Sequence, residues 1–305
     1  MAPSSSDQDH RDDRHEAKNP EPIILAVEPY GGSVRTHSPL LPLVYWDDAV
    51  VTRGDGVFET LLLRKGRACN VERHAQRFIA SAKLLDLPAP NIDDWLHATT
   101  MAIEQWFAHN SCDAKCVWTY TRGRASTGHP SAWLTITKVD AGVIGQRAEG
   151  VRVMTSPRGY QVDSTSVPWL ILGAKTLNYA STMAALRWAR KHDFDDVIFI
   201  EGDRILEGAT STVITVRDKK IRTPHPGGDI LPGTTQAALF EHARAAGWNC
   251  KTKDLDLEYL TEKADSVWLV SSVRVATRVR RINDVKLPRP DNEDEIRELI
   301  YSALG

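Results

Sequence analysis

The spacing of apolar residues changes along the chain and predicts a mixture of strands and helices. A strand turns every second residue to one face, whereas a helix turns every third or fourth, so the period separates the two. The predicted strands cover residues 23–27, 57–64, 116–121, 133–139, 151–155, 169–174, 197–200, 212–217, 267–271 and 276–282. The predicted helices cover residues 71–87, 95–107, 178–191 and a segment that begins at Leu231-Pro-Gly-Thr-Thr and ends near residue 246.

These elements predict an α+β protein with two domains. Strands outnumber helices, and the order of elements does not follow a repeated βαβ unit. Residues 1–22 are polar and charged without apolar periodicity, which predicts a disordered tail. We expect a small N-terminal domain over residues 23–143 and a large C-terminal domain over residues 151–305. Residues 144–150, in a glycine-containing stretch without clear periodicity, are the expected interdomain linker.

Composition and charge narrow the class of protein. The 305 residues are 42% hydrophobic and 26% charged, the balance of a globular chain that buries a core. The net charge of -2 argues against nucleic acid or an anionic membrane as partner. The apolar runs are too short to span a bilayer, and the first residues lack the apolar region of a secretory signal. The four cysteines are scattered and do not predict a metal site, so we expect a cytoplasmic protein with reduced thiols.

Lys175 stands out because it directly follows an apolar run, residues 169–174. Burying an ammonium group is costly and lowers its pKa. A lysine in this position therefore either extends its amine back to solvent or keeps a reactive amine in a pocket. Reactive amines of this kind form Schiff bases with carbonyl compounds.

Three further features suit the same chemistry, although each has a simpler alternative. Thr234 and Thr235 follow a glycine at a helix start, where free N–H groups and hydroxyls can bind phosphate or merely cap the helix. Glu207 precedes a glycine turn and either faces a heterocycle nitrogen or lies at the surface. Arg77, on the helix of residues 71–87, offers a fork for phosphate or is a solvated charge. Taken together with Lys175, they define a pyridoxal 5'-phosphate site.

Six segments in this order resemble the fold-type IV (class IV) pyridoxal-phosphate aminotransferases and lyases, also called D-amino-acid aminotransferase-like. They are Gly-Asp-Gly-Val-Phe-Glu-Thr (54–60), His-Ala-Gln-Arg (74–77), Lys-Thr-Leu-Asn-Tyr (175–179), Glu-Gly-Ala-Thr-Ser-Thr (207–212), Leu-Pro-Gly-Thr-Thr (231–235) and Ser-Ser-Val-Arg (271–274). The resemblance implies a small N-terminal α/β sandwich, a larger C-terminal domain with a barrel-like sheet, and a homodimer. It also implies that Lys175 carries the cofactor, that Glu207 pairs with the pyridine nitrogen, and that the phosphate is held by Arg77, Thr234, Thr235 and Ser272.

Within this family the sequence most resembles the actinobacterial-type 4-amino-4-deoxychorismate lyases, through residues 167–180 and 267–274. This implies release of pyruvate and 4-aminobenzoate, a step in folate biosynthesis; the alternative is an aminotransferase for D- or branched-chain amino acids. Arg122 and Arg274 are the candidates for binding the carboxylates of this small-molecule substrate. Thr60 is a candidate for proton transfer, with a plain strand hydroxyl as its alternative. Tyr179, one helical turn after Lys175, either lines the cofactor or belongs to the core.

Overall fold

The computed structural model describes residues 19–159, 169, 171 and 173–305. Most of the predicted tail lies outside these residues, and residues 19–22 belong to no helix or strand. The described residues form two sheets, one in each half of the chain. Within them, every helix is too short or too polar to cross a lipid bilayer.

The first sheet is antiparallel throughout and supports one face of the site. Its strands are β1 (Ile23–Val27), β2 (Val34–His37), β3 (Gly56–Arg64), β4 (Arg67–Ala68), β5 (Ala114–Thr121) and β6 (Ser131–Lys138), in the order β2-β1-β6-β5-β3-β4. A short helix α1 (Ala49–Arg53) precedes β3, and helices α2 (Val71–Leu84) and α3 (Ile92–Phe107) pack on the sheet. The ring of Phe78 lies 4.9 Å from that of Trp95 and 5.6 Å from that of Trp118. These edge-on aromatic contacts fix α2 and α3 to the sheet.

The segment between the two sheets is a helix rather than an irregular linker. Helix α4 (Ala141–Glu149) begins at Asp140, whose side chain accepts a hydrogen bond from the N–H of Gly142 at 2.7 Å. Glycines disfavour helices by about 1 kcal/mol each relative to alanine, which is why the sequence did not predict this one. Tertiary contacts override that preference: buried Arg147 contacts Asp113 and the carbonyl of Val273.

The second sheet is mixed and contains three parallel strand pairs. Its strands are β7 (Val151–Pro157), β8 (Asp196–Glu201), β9 (Arg204–Gly208), β10 (Thr212–Arg217), β11 (Lys220–Thr223), β12 (Asn249–Thr252), β13 (Ser266–Ser271), β14 (Val275–Ile282) and β15 (Val285–Lys286). Their order is β12-β11-β10-β13-β14-β7-β8-β9, with β15 paired to β14. The helices of this half are α5 (Ala180–Lys191), α6 (Thr234–Ala245) and α7 (Glu293–Ser302), with a π-helical turn at Tyr259–Lys263.

One core cluster reaches from the second sheet into the first. Leu239 and Ile300 of α6 and α7 are buried in the same cluster as Trp268 of β13. Leu62 of β3 is fully buried in that cluster. Burying a leucine side chain stabilises the fold by roughly 1.5–3 kcal/mol, so Leu62 helps to hold the two sheets together.

The strand predicted over residues 169–174 is wrong for the residues that the structure describes. Trp169, Ile171, Gly173 and Ala174 belong to no strand. Trp169 is 78% exposed and Ile171 is 43% exposed, so their apolar side chains do not pack into a core. Gly173 has a φ of 77°, a left-handed conformation that interrupts an extended segment.

Two glycines in the loop between β5 and β6 provide a test of this structure. Both have positive φ, 82° at Gly123 and 70° at Gly128. A methyl group on Gly123 would lie 1.6 Å from the carbonyl oxygen of His129, whereas Gly128 has open space. We expect Gly128→Ala to cost about 1 kcal/mol for its left-handed backbone. Gly123→Ala should cost a further 1–3 kcal/mol, roughly, for the clash.

The measurement is the midpoint of thermal unfolding of both variants and the parent protein, at one concentration and scan rate. The midpoint of Gly123→Ala should fall well below that of Gly128→Ala. Equal midpoints would contradict the loop conformation.

Candidate active site

Strand β3 sends alternate side chains to opposite faces of the first sheet. Phe58 and Thr60 are partly exposed and line a cavity of about 1110 Å³. Glu59 points the other way, towards α2, and is fully buried. The alternation follows from the two-residue period of a strand. Thus one short segment supplies both the cavity wall and a buried carboxylate behind it.

The backbone of Lys175 pairs with the beginning of β3. The N–H of Phe58 donates to the carbonyl of Lys175 at 3.1 Å, and the N–H of Leu177 donates to the carbonyl of Gly56 at 2.9 Å. The N–H of Lys175 donates to Ser81 Oγ on α2 at 3.0 Å. A Cβ at position 56 would lie 2.7 Å from a backbone oxygen and 2.9 Å from the Leu177 side chain, so glycine permits this approach.

The amine of Lys175 lies in the cavity and is easily deprotonated. Its Nζ is 4.2 Å from the centre of the Phe58 ring and 3.4 Å from the hydroxyl of Tyr179. Burial lowers the pKa of Lys175 to about 8, assisted by the positive charge of Arg77 and opposed by nearby carboxylates. Burial also raises the pKa of Tyr179 to about 12, so its hydroxyl stays protonated at neutral pH. A substantial fraction of Lys175 is therefore a free amine in slightly alkaline solution.

Arg77 is held by the buried carboxylate of Glu59. Its Nε and Nη2 donate to the two Glu59 oxygens at 2.6 and 2.8 Å, and Nη1 donates to the carbonyl of Pro232 at 2.7 Å. Burial alone would raise the pKa of Glu59, but the charge and hydrogen bonds of Arg77 and His74 lower it to about 2. An arginine carries five N–H donors, so these three bonds leave two for a ligand such as phosphate. Arg77 is therefore fixed in place rather than a solvated charge.

His74 connects the same carboxylate to two hydroxyl groups. Its Nδ1 lies 2.7 Å from Glu59, and its Nε2 lies 3.3 Å from Thr234 Oγ1 and 3.2 Å from Ser272 Oγ. Burial lowers the pKa of His74, although Glu59 opposes this shift. Because a carboxylate can only accept, Nδ1 donates to Glu59 and the neutral ring turns Nε2 to the hydroxyls.

The N-terminus of α6 is suited to bind an anion. The helix begins after Gly233, and no side chain of the described residues caps its first N–H groups, so the alternative of N-capping by Thr234 or Thr235 is wrong. A Cβ at position 233 would lie 2.3 Å from the hydroxyl of Thr212, so the close packing there requires glycine. Free N–H groups and the positive end of the helix dipole favour a phosphate at this point.

Glu207, at the other end of the site, is buried beside a cation. Its Oε2 accepts a hydrogen bond from the N–H of Leu231 at 3.1 Å, and its Oε1 lies 3.2 Å from Arg158 Nη2. Burial raises the pKa of Glu207 to about 7, while Arg158 and the Leu231 N–H oppose that shift. A carboxyl group of this pKa can share a proton with a pyridine nitrogen. The residues present thus fit pyridoxal phosphate at its aldehyde, its ring nitrogen and its phosphate.

The cavity brings together all but one of the residues predicted from the sequence. Its lining includes Thr60, Arg77, Lys175, Tyr179, Glu207, Thr234, Thr235, Ser272 and Arg274. Arg274 is buried in it and forms a 2.5 Å ion pair with Asp196. Arg122 is not in the lining: its fork binds Asp55, with Nε 2.6 Å from Oδ2, and the carbonyl of Leu85.

The sequence analysis assigned no role in the site to Glu59, to the polar ring of His74 or to Arg158. Glu59 could have been found, because it occupies the same strand face as the apolar residues Val57 and Leu61, and a buried acid requires a partner. The helical spacing of His74 and Phe78 predicts that both lie on one face of α2, but the polar partners of His74 come from distant segments. Arg158 follows a strand without any local motif.

The acidity of Lys175 leads to a testable pH dependence. Only the neutral amine attacks an aldehyde, and burial places its pKa near 8. The rate constant for reaction of the apoprotein with pyridoxal phosphate should therefore rise with pH below 8 and level off above it. Stopped-flow absorption over a range of pH checks this.

Lys219→Ala, which removes an exposed lysine, should leave the dependence of this rate constant on pH unchanged. Lys175→Ala should abolish the reaction. A rate that is still rising at pH 10 would show that Lys175 has an ordinary amine.

Comparisons with known proteins agree with this geometry. The family model described as amino-transferase class IV matches residues 56–282. A bifunctional aminodeoxychorismate lyase / D-amino acid transaminase from Mycobacterium tuberculosis is 42% identical over 275 residues, covering 87% of this chain and 95% of that protein. A hypothetical aminotransferase from Mycobacterium tuberculosis, solved in a PLP-bound form, has a TM-score of 0.87 at 41% identity, covering 92% of this chain and 98% of that one.

A fold IV transaminase from Curtobacterium pusillum is similar over 93% of this chain and 97% of its own, with a TM-score of 0.84 and 33% identity. These likenesses confirm the predicted fold class and the predicted cofactor. The chain belongs to the class IV aminotransferases, enzymes of fold type IV that use pyridoxal 5'-phosphate.

Proposed function

We propose that this protein is a 4-amino-4-deoxychorismate lyase, which releases pyruvate and forms 4-aminobenzoate for folate biosynthesis. The observation that carries the proposal is the 42% identity, over nearly the whole chain, to a relative named for that lyase activity. The six sequence segments behind the expected resemblance all contribute residues to one cavity, which supports the membership in class IV on which this proposal rests.

We assign the cofactor contacts as the sequence predicted them. Lys175 holds the aldehyde, Glu207 faces the ring nitrogen, and Arg77, Thr234, Thr235 and Ser272 hold the phosphate. Tyr179 lines the cofactor beside Lys175, since its hydroxyl lies 3.4 Å from Nζ. When bound, pyridoxal phosphate supplies an electron sink for a carbon atom that loses a proton.

The lyase reaction requires one proton to leave carbon and one to reach oxygen. A base removes the proton from the ring carbon that bears the substrate nitrogen, the carbon–oxygen bond to the enolpyruvyl group breaks, and the ring becomes aromatic. The group leaves as an enolate, takes one proton on its oxygen and tautomerises to pyruvate, so no oxidant is needed. We assign the base to Lys175, whose pKa near 8 suits this task. Thr60 lies in the same cavity and is our candidate for the proton donor.

The substrate carries two carboxylates, which arginine forks suit. Arg274 lines the cavity, and its pairing with Asp196 holds the guanidinium in a fixed direction. Arg122 does not line the cavity of its own chain, as far as the structure describes it, so we look for its substrate contact in a dimer. We therefore propose Arg274 as the contact within the chain and Arg122 as a contact in the cavity of a second copy.

An exposed apolar patch beside Arg122 supports a homodimer. We call it the 40–51 patch; it consists of Leu40, Leu41, Tyr45, Trp46 and Val51, which are between 58% and 91% exposed. The guanidinium of Arg124 lies 4.0 Å from the centre of the Tyr45 ring, so the loop that carries Arg122 packs on the patch. Exposed apolar patches of this kind are typical of protein interfaces.

The cytoplasmic location expected from the sequence stays a prediction.

The second candidate function is transamination of D-amino acids. The relative from Mycobacterium tuberculosis is named for both activities, and a similar structure is described as bound to α-ketoglutarate and PMP. The same cofactor contacts serve both reactions, because each begins with removal of a proton beside the substrate nitrogen. The branched-chain amino acids remain the third possibility.

Product analysis separates these functions. Purified protein, supplied with enzymatically generated aminodeoxychorismate, should form 4-aminobenzoate and pyruvate in equal amounts without an amino acceptor. Absence of aromatic product, with conversion of the cofactor to its amine form by D-alanine, would refute the lyase and establish the aminotransferase.

The variant Thr60→Val tests the proposed proton donor. It should lower kcat about 10- to 100-fold with little change in KM if the Thr60 hydroxyl transfers the proton.

The proposed dimer is tested by sedimentation at micromolar concentration. The parent protein should sediment as a dimer and Trp46→Glu as a monomer, because a charge would replace an apolar side chain in the interface. Val285→Glu, at a partly exposed apolar position outside the 40–51 patch, is the control and should remain dimeric. A monomeric parent protein would refute the proposal.

A further inference from the structure

Arg158 reaches Glu207 from the end of β7 and is fixed on two sides. Its side chain is 11% exposed. Nη2 lies 3.2 Å from Glu207 Oε1, and Nη1 donates to the carbonyl of Asp229 at 2.5 Å. Since both ends of the guanidinium are engaged, its position relative to Glu207 does not depend on a mobile side chain.

Among the residues that the structure describes, Arg158 is the charged group that lowers the pKa of Glu207 most. Lys175 lowers the pKa of Glu207 less than Arg158 does, and the low pKa of Lys175 reduces its own charge in alkaline solution. Asp229 lies 4.0 Å from Arg158 and would weaken its effect, but Arg204 binds Asp229 at 3.2 Å. Tyr179, whose pKa is raised, remains neutral.

A carboxyl group and a pyridine nitrogen in contact share one proton. The proton can rest on the nitrogen, beside a carboxylate, or on the carboxyl, beside a neutral ring. Burial favours the neutral pair, because it disfavours charge in a low-dielectric site. A guanidinium next to the carboxyl group favours the charged pair instead. Only the protonated ring is a strong electron sink.

We propose that Arg158 is a positioning residue for the cofactor: it holds Glu207 as a carboxylate and so places the shared proton on the ring nitrogen. The inference rests on the proposed contact between Glu207 and that nitrogen. It adds a residue that acts through Glu207 and does not itself touch the cofactor.

The test uses two ligands that differ only at the ring nitrogen. One is pyridoxal phosphate, and the other is its analogue in which a C–H group replaces that nitrogen. The dissociation constants of both are measured with folded apoprotein by absorption or fluorescence titration. Circular dichroism and the thermal midpoint show whether each variant is folded.

Arg158→Gln should weaken binding of pyridoxal phosphate roughly tenfold, since a charge-assisted interaction at a buried carboxylate is lost. It should leave the affinity for the analogue within about twofold of the parent value, because the analogue has no proton to share. Arg158→Lys, which keeps the charge, should show the same ligand selectivity with a smaller loss. Arg158→Lys also provides the test if Arg158→Gln does not fold. Arg281→Gln, which removes a partly exposed arginine that pairs with Asp284 outside the cavity, should change neither affinity by more than about twofold.

Two results would overturn the inference. Equal losses for both ligands would show that Arg158 only shapes the site, and no loss for either would show that it has no influence on the cofactor. The variant Glu207→Gln tests the underlying assumption, which is that Glu207 contacts the ring nitrogen. If it discriminates between the ligands and Arg158→Gln does not, only the role of Arg158 fails; if neither variant discriminates, the contact between Glu207 and the ring nitrogen fails as well.

Discussion

The pairing of the Lys175 backbone with β3 is the constraint on which the site depends. Two backbone hydrogen bonds to β3 and one to Ser81 of α2 attach the lysine segment to the first sheet. The side chain of Lys175 nevertheless enters a cavity whose other walls come from the second sheet. Because of this attachment, the reactive amine is fixed relative to residues from both halves of the chain.

Buried charges in this site occur in compensated groups. Glu59 is paired with Arg77 and His74, and Glu207 with Arg158. An unpaired buried charge would cost several kcal/mol, whereas each of these carboxylates has a cationic partner and hydrogen-bond donors within the protein. The two groups also differ in their result: Glu59 has a pKa of about 2 and is permanently ionised, whereas Glu207 has a pKa of about 7 and can exchange its proton. In our proposal the group around Glu59 supports the phosphate site, and the group around Glu207 supports the site of the pyridine nitrogen.

Local patterns in the sequence predicted most of the elements and the residues that point into the cavity. The buried face of α2, the strand of β3 and the helix start after Gly233 all have clear periodicity or turn chemistry. These local patterns did not predict features that depend on contacts between distant segments. Helix α4 forms despite its glycines because Arg147 is held by two other segments, and Arg122 is drawn to Asp55 and away from the cavity. The ion pair between Arg158 and Glu207 joins residues 49 positions apart, and no motif marks Arg158.

We propose above all that Lys175 carries the cofactor. The most direct test is to treat the purified protein with borohydride, which fixes bound pyridoxal phosphate to its lysine, and to locate the label by peptide mass spectrometry. We expect a single labelled peptide, with the added mass on Lys175. A label on another lysine, such as Lys115 in the same cavity, would contradict it.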